Sequence, residues 1–147
     1  MNWYKNDFTI STDKSRLDIT YIHSFLTTSY WAEGIPIETV QKSVEWSLCF
    51  GIYDNDRQIG FARMVTDRAT FGYLADVFID EAYRGQGLSK WLMEIITGHP
   101  DLQGFRRLML ATRDAHGLYR QFGFSDLSFP ERWMHIHNPG VYKKSIS

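Results

Sequence analysis

At 147 residues the chain buries roughly two thirds of the surface it would expose unfolded, enough for one hydrophobic core and too little for a two-domain enzyme. A hydrophobic share of 44%, with 16% aromatic and 22% charged side chains, excludes the disordered class. Sixteen Lys and Arg against seventeen Asp and Glu leave a net charge of −1, which excludes a protein that coats nucleic acid through a basic surface.

In chain order, Phe8 to Ile10 predicts a short first strand. From Ser15 the apolar residues Leu17, Ile19, Ile22, Phe25 and Leu26 recur near helical spacing, and Ser29 to Pro36 breaks the pattern. A second helix is expected over Glu38 to Trp46, with Val40, Val44 and Trp46 as its apolar positions. Leu48 to Tyr53 and Gln58 to Thr66 are strand-like about the turn cluster Asp54-Asn55-Asp56-Arg57, and Thr70 to Ile79 completes an antiparallel meander. Cys49, between Leu48 and Phe50, is expected to be a buried strand thiol; one cysteine excludes a disulfide framework and a multi-cysteine metal site.

Leu88, Trp91, Leu92, Ile95 and Ile96 give the clearest amphipathic helix, stopped at Gly98-His99-Pro100. Arg107 to Ala111 is another strand, and Asp114 is placed to cap a helix running through Leu118, Tyr119 and Phe122 to Gly123. Phe124 to Phe129 and Trp133 to His137 are late strand candidates. A crossover through the helix at Leu88 makes its flanking strands parallel, so an α/β (α+β) domain over residues 1–147 with a mixed sheet is expected. No signal-like start or apolar run of about 18 residues occurs, and the expectation is a soluble, cytoplasmic protein without a membrane partner.

The chemistry concentrates between the third meander strand and the helix at Leu88. Gly85 and Gly87 allow close backbone approach to a ligand, and the free N–H groups of the helix start make an anion site suited to a pyrophosphate. The dinucleotide fingerprint fails because Lys90 stands where its third glycine is needed, and the nucleoside-triphosphate loop is absent. What remains is Arg84-x-x-Gly87-x-Ser89.

This motif resembles the coenzyme A pyrophosphate loop of the GNAT superfamily of N-acetyltransferases. Downstream, Ala115-x-x-Leu118-Tyr119-x-x-x-Gly123-Phe124 is similar to the helix and strand that close the acetyl-CoA cleft in that family. With the early helices and the meander, the resemblance covers nearly the whole chain. It implies a mostly antiparallel sheet flanked by helices, with a parallel strand–helix–strand core for acetyl-CoA. The backbone of Val77 and Ile79 would pair with the pantetheine arm, and an N–H at Phe78 or Ile79 would polarise the thioester carbonyl. The amides of Arg84, Gly85, Gln86, Gly87, Leu88 and Ser89 would cradle the pyrophosphate, with Thr112 and Ala115 beside the cofactor. Tyr119 would be the general acid toward the departing thiolate, a phenol with an ordinary pKa of about 10 being protonated at neutral pH. Ser89 replaces the commoner Gly or Ala, and Thr112 stands where many members carry an asparagine.

For the acceptor side, Asp76 between Ala75 and Val77 is either a base or the ion-pair partner of an arginine such as Arg63. Tyr73 stands near a position where several members keep a glutamate base, and Glu33 is a further candidate, with Tyr30 and Trp31 as walls of an acceptor site. His135 and His137 share a face but show no third ligand, so no metal is expected. Residues 84–120 carry six basic against three acidic side chains, a net of +3, whereas the first 83 residues carry seven against twelve, a net of −5. That segregation suits a phosphorylated donor on one side and a cationic amine on the other. The expected activity is acetyl-CoA-dependent acetylation of a primary amine of a small molecule, with a homodimer as the family's common assembly. The competing readings are a non-catalytic acyl-CoA sensor on the same fold and an interaction domain whose glycine loop is only a turn.

Overall fold

A computed structural model describes residues 1–143. One six-stranded sheet runs in sequence order: β1 (Asn2–Lys5), β2 (Phe8–Ser11), β3 (Leu48–Asp54), β4 (Arg57–Thr66), β5 (Phe71–Ile79) and β6 (Arg107–Leu110). The first five strands pair antiparallel, and only β5 and β6 are parallel, as the crossover requires. β1 escapes the sequence pattern because it is an edge strand with three of four side chains exposed; only Trp3 packs on the core. The hairpin turns at Asn6 and Asn55 take positive φ, which asparagine tolerates better than most residues.

Four α-helices cover the sheet: α1 (Ile19–Leu26), α2 (Ile37–Glu45), α3 (Leu88–Gly98) and α4 (His116–Arg120). The Asp18 carboxylate caps α1 by accepting from the Tyr21 N–H at 3.0 Å. α1 and α2 bury Ile22, Leu26, Val40 and Val44 against Cys49, Phe61 and Phe78 on one face. α3 buries Leu88, Trp91, Leu92, Met93 and Ile96 against Ile52, Ile59, Ala62 and Met64 on the other. Trp46, expected on the apolar stripe of α2, instead caps its C-terminus and is exposed, because the helix ends one residue earlier. Cys49 is buried, and removal from water pushes its thiol up to about 11, so it remains an unionised core group.

Two further expectations need correction. α4 is shorter than its apolar spacing suggests, and Asp114 does not cap it: the N-cap is Ala115, without a side-chain cap, and the Thr112 hydroxyl accepts from the Ala115 N–H at 3.1 Å in the turn that leads into the helix. Phe124–Phe129 and Trp133–His137 are not strands, since no neighbouring backbone pairs with either among the described residues. Phe129 takes φ 55 at the start of a short 3-10 turn, which breaks the extended run. No helix among the described residues is long and apolar enough to cross a membrane.

Leu92 is fully buried at the centre of the α3 face. Leu92→Ala is expected to lower unfolding stability by about 3 kcal/mol through lost burial plus a cavity, checked by urea denaturation followed by circular dichroism.

Candidate active site

The site begins with a defect in β5. Pairing with β4 runs regularly from Gly72 to Ala75, then Asp76 and Val77 together oppose Ala62 before the register resumes at Phe78 and Phe61. Asp76 takes φ 56, a left-handed conformation that costs a non-glycine residue about 1–3 kcal/mol unless its surroundings hold it. They do. Arg63 Nε donates to Asp76 Oδ2 at 2.9 Å, and Trp31 Nε1 donates to Asp76 Oδ1 at 2.9 Å. Arg63 also donates to the Ser47 hydroxyl at 3.1 Å, so one buried cluster ties the α2–β3 junction, β4, β5 and the α1–α2 loop.

Beyond the bulge the sheet splits. β6 pairs with β5 only from Phe71↔Arg107 to Leu74↔Leu110, leaving residues 75–79 with no partner on that side. The Asp80 N–H donates to Ile59 O on β4, so by strand alternation Ile79 presents its N–H and C=O to the open side. There Ile79 O accepts from Arg84 Nε at 3.2 Å. Val77, Phe78 and Ile79 therefore form one wall of a wedge whose other wall is the end of β6.

The wedge leads directly to the glycine loop. Asp80 Oδ1 caps the turn after β5 by accepting from Ala82 N–H, and its Oδ2 accepts from the Tyr21 phenol at 3.3 Å. Tyr83 donates to Asp54 at 2.7 Å. These anchors fix the entry to Arg84, Gly85, Gln86 and Gly87. Gly85 and Gly87 take φ +82 and +79, and a Cβ on either would meet nothing within 4 Å. The glycines are needed for backbone conformation, and the space above them is open to a ligand. The N–H groups of Gly85 to Lys90 have no acceptor among the described residues, and those of Leu88 to Lys90 form the positive end of α3. A cavity of about 360 Å³ lies there, lined by Ile79, Arg84, Gly85, Gly87, Leu88 and Ser89 and reached by Leu118 from α4.

α4 holds Tyr119, 9% exposed and packed edge-on against Phe124 at 5.9 Å. Burial raises its pKa, and the neighbouring Tyr30 raises it further. Tyr119 and Thr112 line a larger cleft of about 610 Å³ along β6. Thr112 is occupied in starting α4, while Ala115 supplies that helix's N-cap backbone.

On the α1–α2 side, Tyr30 and Trp31 meet edge to face at 5.1 Å, and Trp31 continues through Phe25 to Phe78, the last two stacked at 3.8 Å. Tyr30 reaches across the opening. Its hydroxyl accepts from the Arg113 N–H at 3.3 Å and its ring lies 4.0 Å from the Arg113 guanidinium. Tyr73 is exposed two residues before Ala75, and Glu33 is exposed without a hydrogen bond among the described residues. The structure thus gathers Tyr30, Trp31 and Asp76 by direct contact and sets Tyr119 close to Tyr30; Glu33 and Tyr73 remain at the margin. Arg113 and Phe25 are members of this wall that sequence reading missed, since nothing local marks a contact spanning 83 residues. Among the described residues no group of three or more His, Cys, Asp or Glu side chains is gathered; His135 and His137 stand alone and exposed.

A mixed sheet thus splits at a bulged strand, and an open glycine turn follows the split. The family model for the acetyltransferase (GNAT) domain matches residues 45–126, and the chain belongs to this family. A candidate acetyltransferase of Gibberella zeae is 32% identical over 149 residues, covering 85% of this chain and 83% of that protein. The crystal structure of a candidate GNAT-family acetyltransferase from Xanthomonas campestris pv. campestris is 48% identical, covers 93% of this chain and 97% of its own, and superposes with a TM-score of 0.91. A GNAT family acetyltransferase from Elizabethkingia anophelis, solved with acetyl-CoA bound, shares the fold at 16% identity and a TM-score of 0.63, over 82% of this chain and 78% of that one.

Asp76 has a side chain 9% exposed, and Arg63 18%. Asp76→Ala is expected to cost about 3 kcal/mol by stranding the buried guanidinium. Adding Arg63→Leu should recover part of that loss, measured as the coupling in a double-mutant denaturation cycle.

Proposed function

We propose that the protein is an acetyl-CoA-dependent N-acetyltransferase acting on a primary amine of a small molecule. The observation that carries this reading is one cavity that joins the open amides at the start of α3 to Ile79 and its free backbone edge and is reached by Leu118, the residue before Tyr119 on α4. The residues present fit coenzyme A. The glycine turn offers unpaired N–H donors with no side chain in the way, and the wedge offers a strand edge to an amide-bearing chain. Neighbours of the same fold solved with acetyl-CoA support the choice of donor.

When bound, acetyl-CoA supplies an activated acetyl thioester. The amides of Gly85 to Ser89 hold the diphosphate, with Arg84 and Lys90 adding positive charge at the rim. The open edge of Val77 to Ile79 aligns the pantetheine arm, and the outward Ile79 N–H is positioned to polarise the carbonyl. Tyr119 holds the proton that the departing sulfur needs; its raised pKa keeps that proton in place throughout the neutral range.

Asp76 has both oxygens engaged, by Arg63 and by Trp31. Its role in this mechanism is to hold the bulge and the acceptor wall, and proton removal from the amine passes to water at the mouth of the cleft. Tyr30 and Trp31 supply the aromatic wall for the acceptor. Glu33 and Tyr73 line its approach, and Glu33 adds negative charge that favours a cationic amine.

A melting curve with acetyl-CoA tests donor binding, since a ligand at one hundred times its dissociation constant adds ~2.7 kcal/mol of stability. No shift at millimolar acetyl-CoA removes the reading. Free-thiol release over a panel of small amines, amino acids and polyamines tests catalysis. Binding without thiol release toward any amine would leave a sensor on this fold. Tyr119→Phe should lower kcat by roughly 10²-fold with little change in acetyl-CoA affinity. A phenol is the active acid below its pKa. Because the Tyr119 pKa is raised above the ordinary 10.0, the alkaline fall in kcat due to Tyr119 should appear only above pH 10 and vanish in Tyr119→Phe.

A further inference from the structure

Arg113 is the positive charge of the aromatic wall, and the contacts that hold it leave its own donors unused. Its backbone N–H donates to the Tyr30 hydroxyl at 3.3 Å, and its guanidinium carbon lies 4.0 Å from the centre of the Tyr30 ring. A ring attracts a guanidinium through charge alone, so the side-chain N–H groups remain able to donate elsewhere. Among the described residues they meet no acceptor, and Arg113 makes no ion pair. The Tyr30 hydroxyl likewise accepts from Arg113 and donates to nothing among those residues.

The neighbouring charges do not neutralise this pair. Both oxygens of Asp76 are taken, by Arg63 and by Trp31, and Arg63 divides its donors between Asp76 and Ser47. Asp114 follows Arg113 in the chain without pairing with it, and Arg120 is bonded to Asp126. Glu33, on the same loop as Tyr30, is exposed. The wall therefore presents a fixed, unpaired guanidinium beside a free phenol proton, and one carboxylate a few residues along the loop.

An arginine already seated on a ring loses little side-chain freedom when a ligand arrives, and its donors match the two oxygens of a carboxylate. We infer that the acceptor amine also carries a carboxylate, which pairs with the Arg113 guanidinium and takes a hydrogen bond from the Tyr30 hydroxyl. The inference rests on the acetyltransferase reading and narrows its substrate class to amino acids and their relatives. The apolar body of such a molecule lies against Tyr30 and Trp31, and Glu33 favours the approach of its ammonium end. A polyamine would instead set a second cation against Arg113, which disfavours it.

Pairs that differ only in the carboxylate test this: phenylalanine against phenethylamine, lysine against cadaverine, and alanine against ethylamine. Two readouts are taken, thiol release from acetyl-CoA and the melting temperature with coenzyme A plus each compound. In at least one pair the amino acid should be favoured in kcat/KM by roughly 10²-fold, chiefly through KM, and should raise the melting temperature where its partner does not. Arg113→Gln should bring that preference close to unity, and Arg113→Lys should restore part of it. A wild type that treats both members of every pair alike, or prefers the one without a carboxylate, overturns the inference, as does one that binds none of the amino acids. An Arg113→Gln variant that loses both members equally also overturns it, since Arg113 would then act only by holding Tyr30. Each of these results leaves donor binding intact; a protein whose melting acetyl-CoA does not shift fails at the earlier reading, and this inference falls with it.

Discussion

The structure depends on one buried carboxylate. Asp76 occupies a left-handed position in the middle of a strand, which no regular ladder would tolerate, and it is kept there by Arg63 on one oxygen and Trp31 on the other. The bulge lets β5 continue its pairing with β4 while turning its far half away from β6. Without it the parallel ladder would run on past Leu74 and Leu110, and no backbone edge would be left for a ligand. The same two hydrogen bonds draw the α1–α2 loop onto the sheet. The wedge beside β5 and the aromatic wall of the α1–α2 loop are thus both tied to a single ion pair and its indole partner.

Around that point the two sides of the bulge differ in polarity. The glycine turn leaves a row of amides without partners at the head of α3, a fixed positive potential that needs no mobile side chain. Lys90 and Arg84 extend it at the rim. On the other side of the bulge, the aromatic series from Tyr30 through Trp31 and Phe25 to Phe78 excludes water from one wall, and Arg113 locks Tyr30 across the opening. Tyr119 lines the cleft along β6, packed on Phe124, and burial, with the nearby Tyr30, raises its pKa.

The legible parts of the sequence were those whose chemistry is local. The α3 stripe, the meander, and the pair Gly85 and Gly87 each declare themselves within a dozen residues, because helical period, strand alternation and backbone freedom are short-range properties. β1 was missed because an exposed edge strand has no alternation to read. Asp114 reads as the cap of α4 but the helix starts two residues later, from the N-cap Ala115, with no side-chain cap, because the Thr112 hydroxyl closes the preceding turn onto the Ala115 N–H. The late strands were assigned from propensity, but a strand exists only with a partner, and the folded chain provides none among its described residues.

By itself, then, the sequence determined the order of most elements, the parallel crossover, the glycine turn, and the segregation of a basic central stretch from an acidic first half. Each follows from spacing and composition alone. Only the tertiary structure decided what Asp76 does. A carboxylate flanked by alanine and valine reads equally as a base or as half of an ion pair, and the choice rests on whether a guanidinium thirteen residues back and an indole forty-five residues back arrive at its two oxygens. The contact of Tyr30 with Arg113, and that of Trp133 with Arg107 on β6, have the same origin. They are set by where distant segments are packed, which no local pattern encodes.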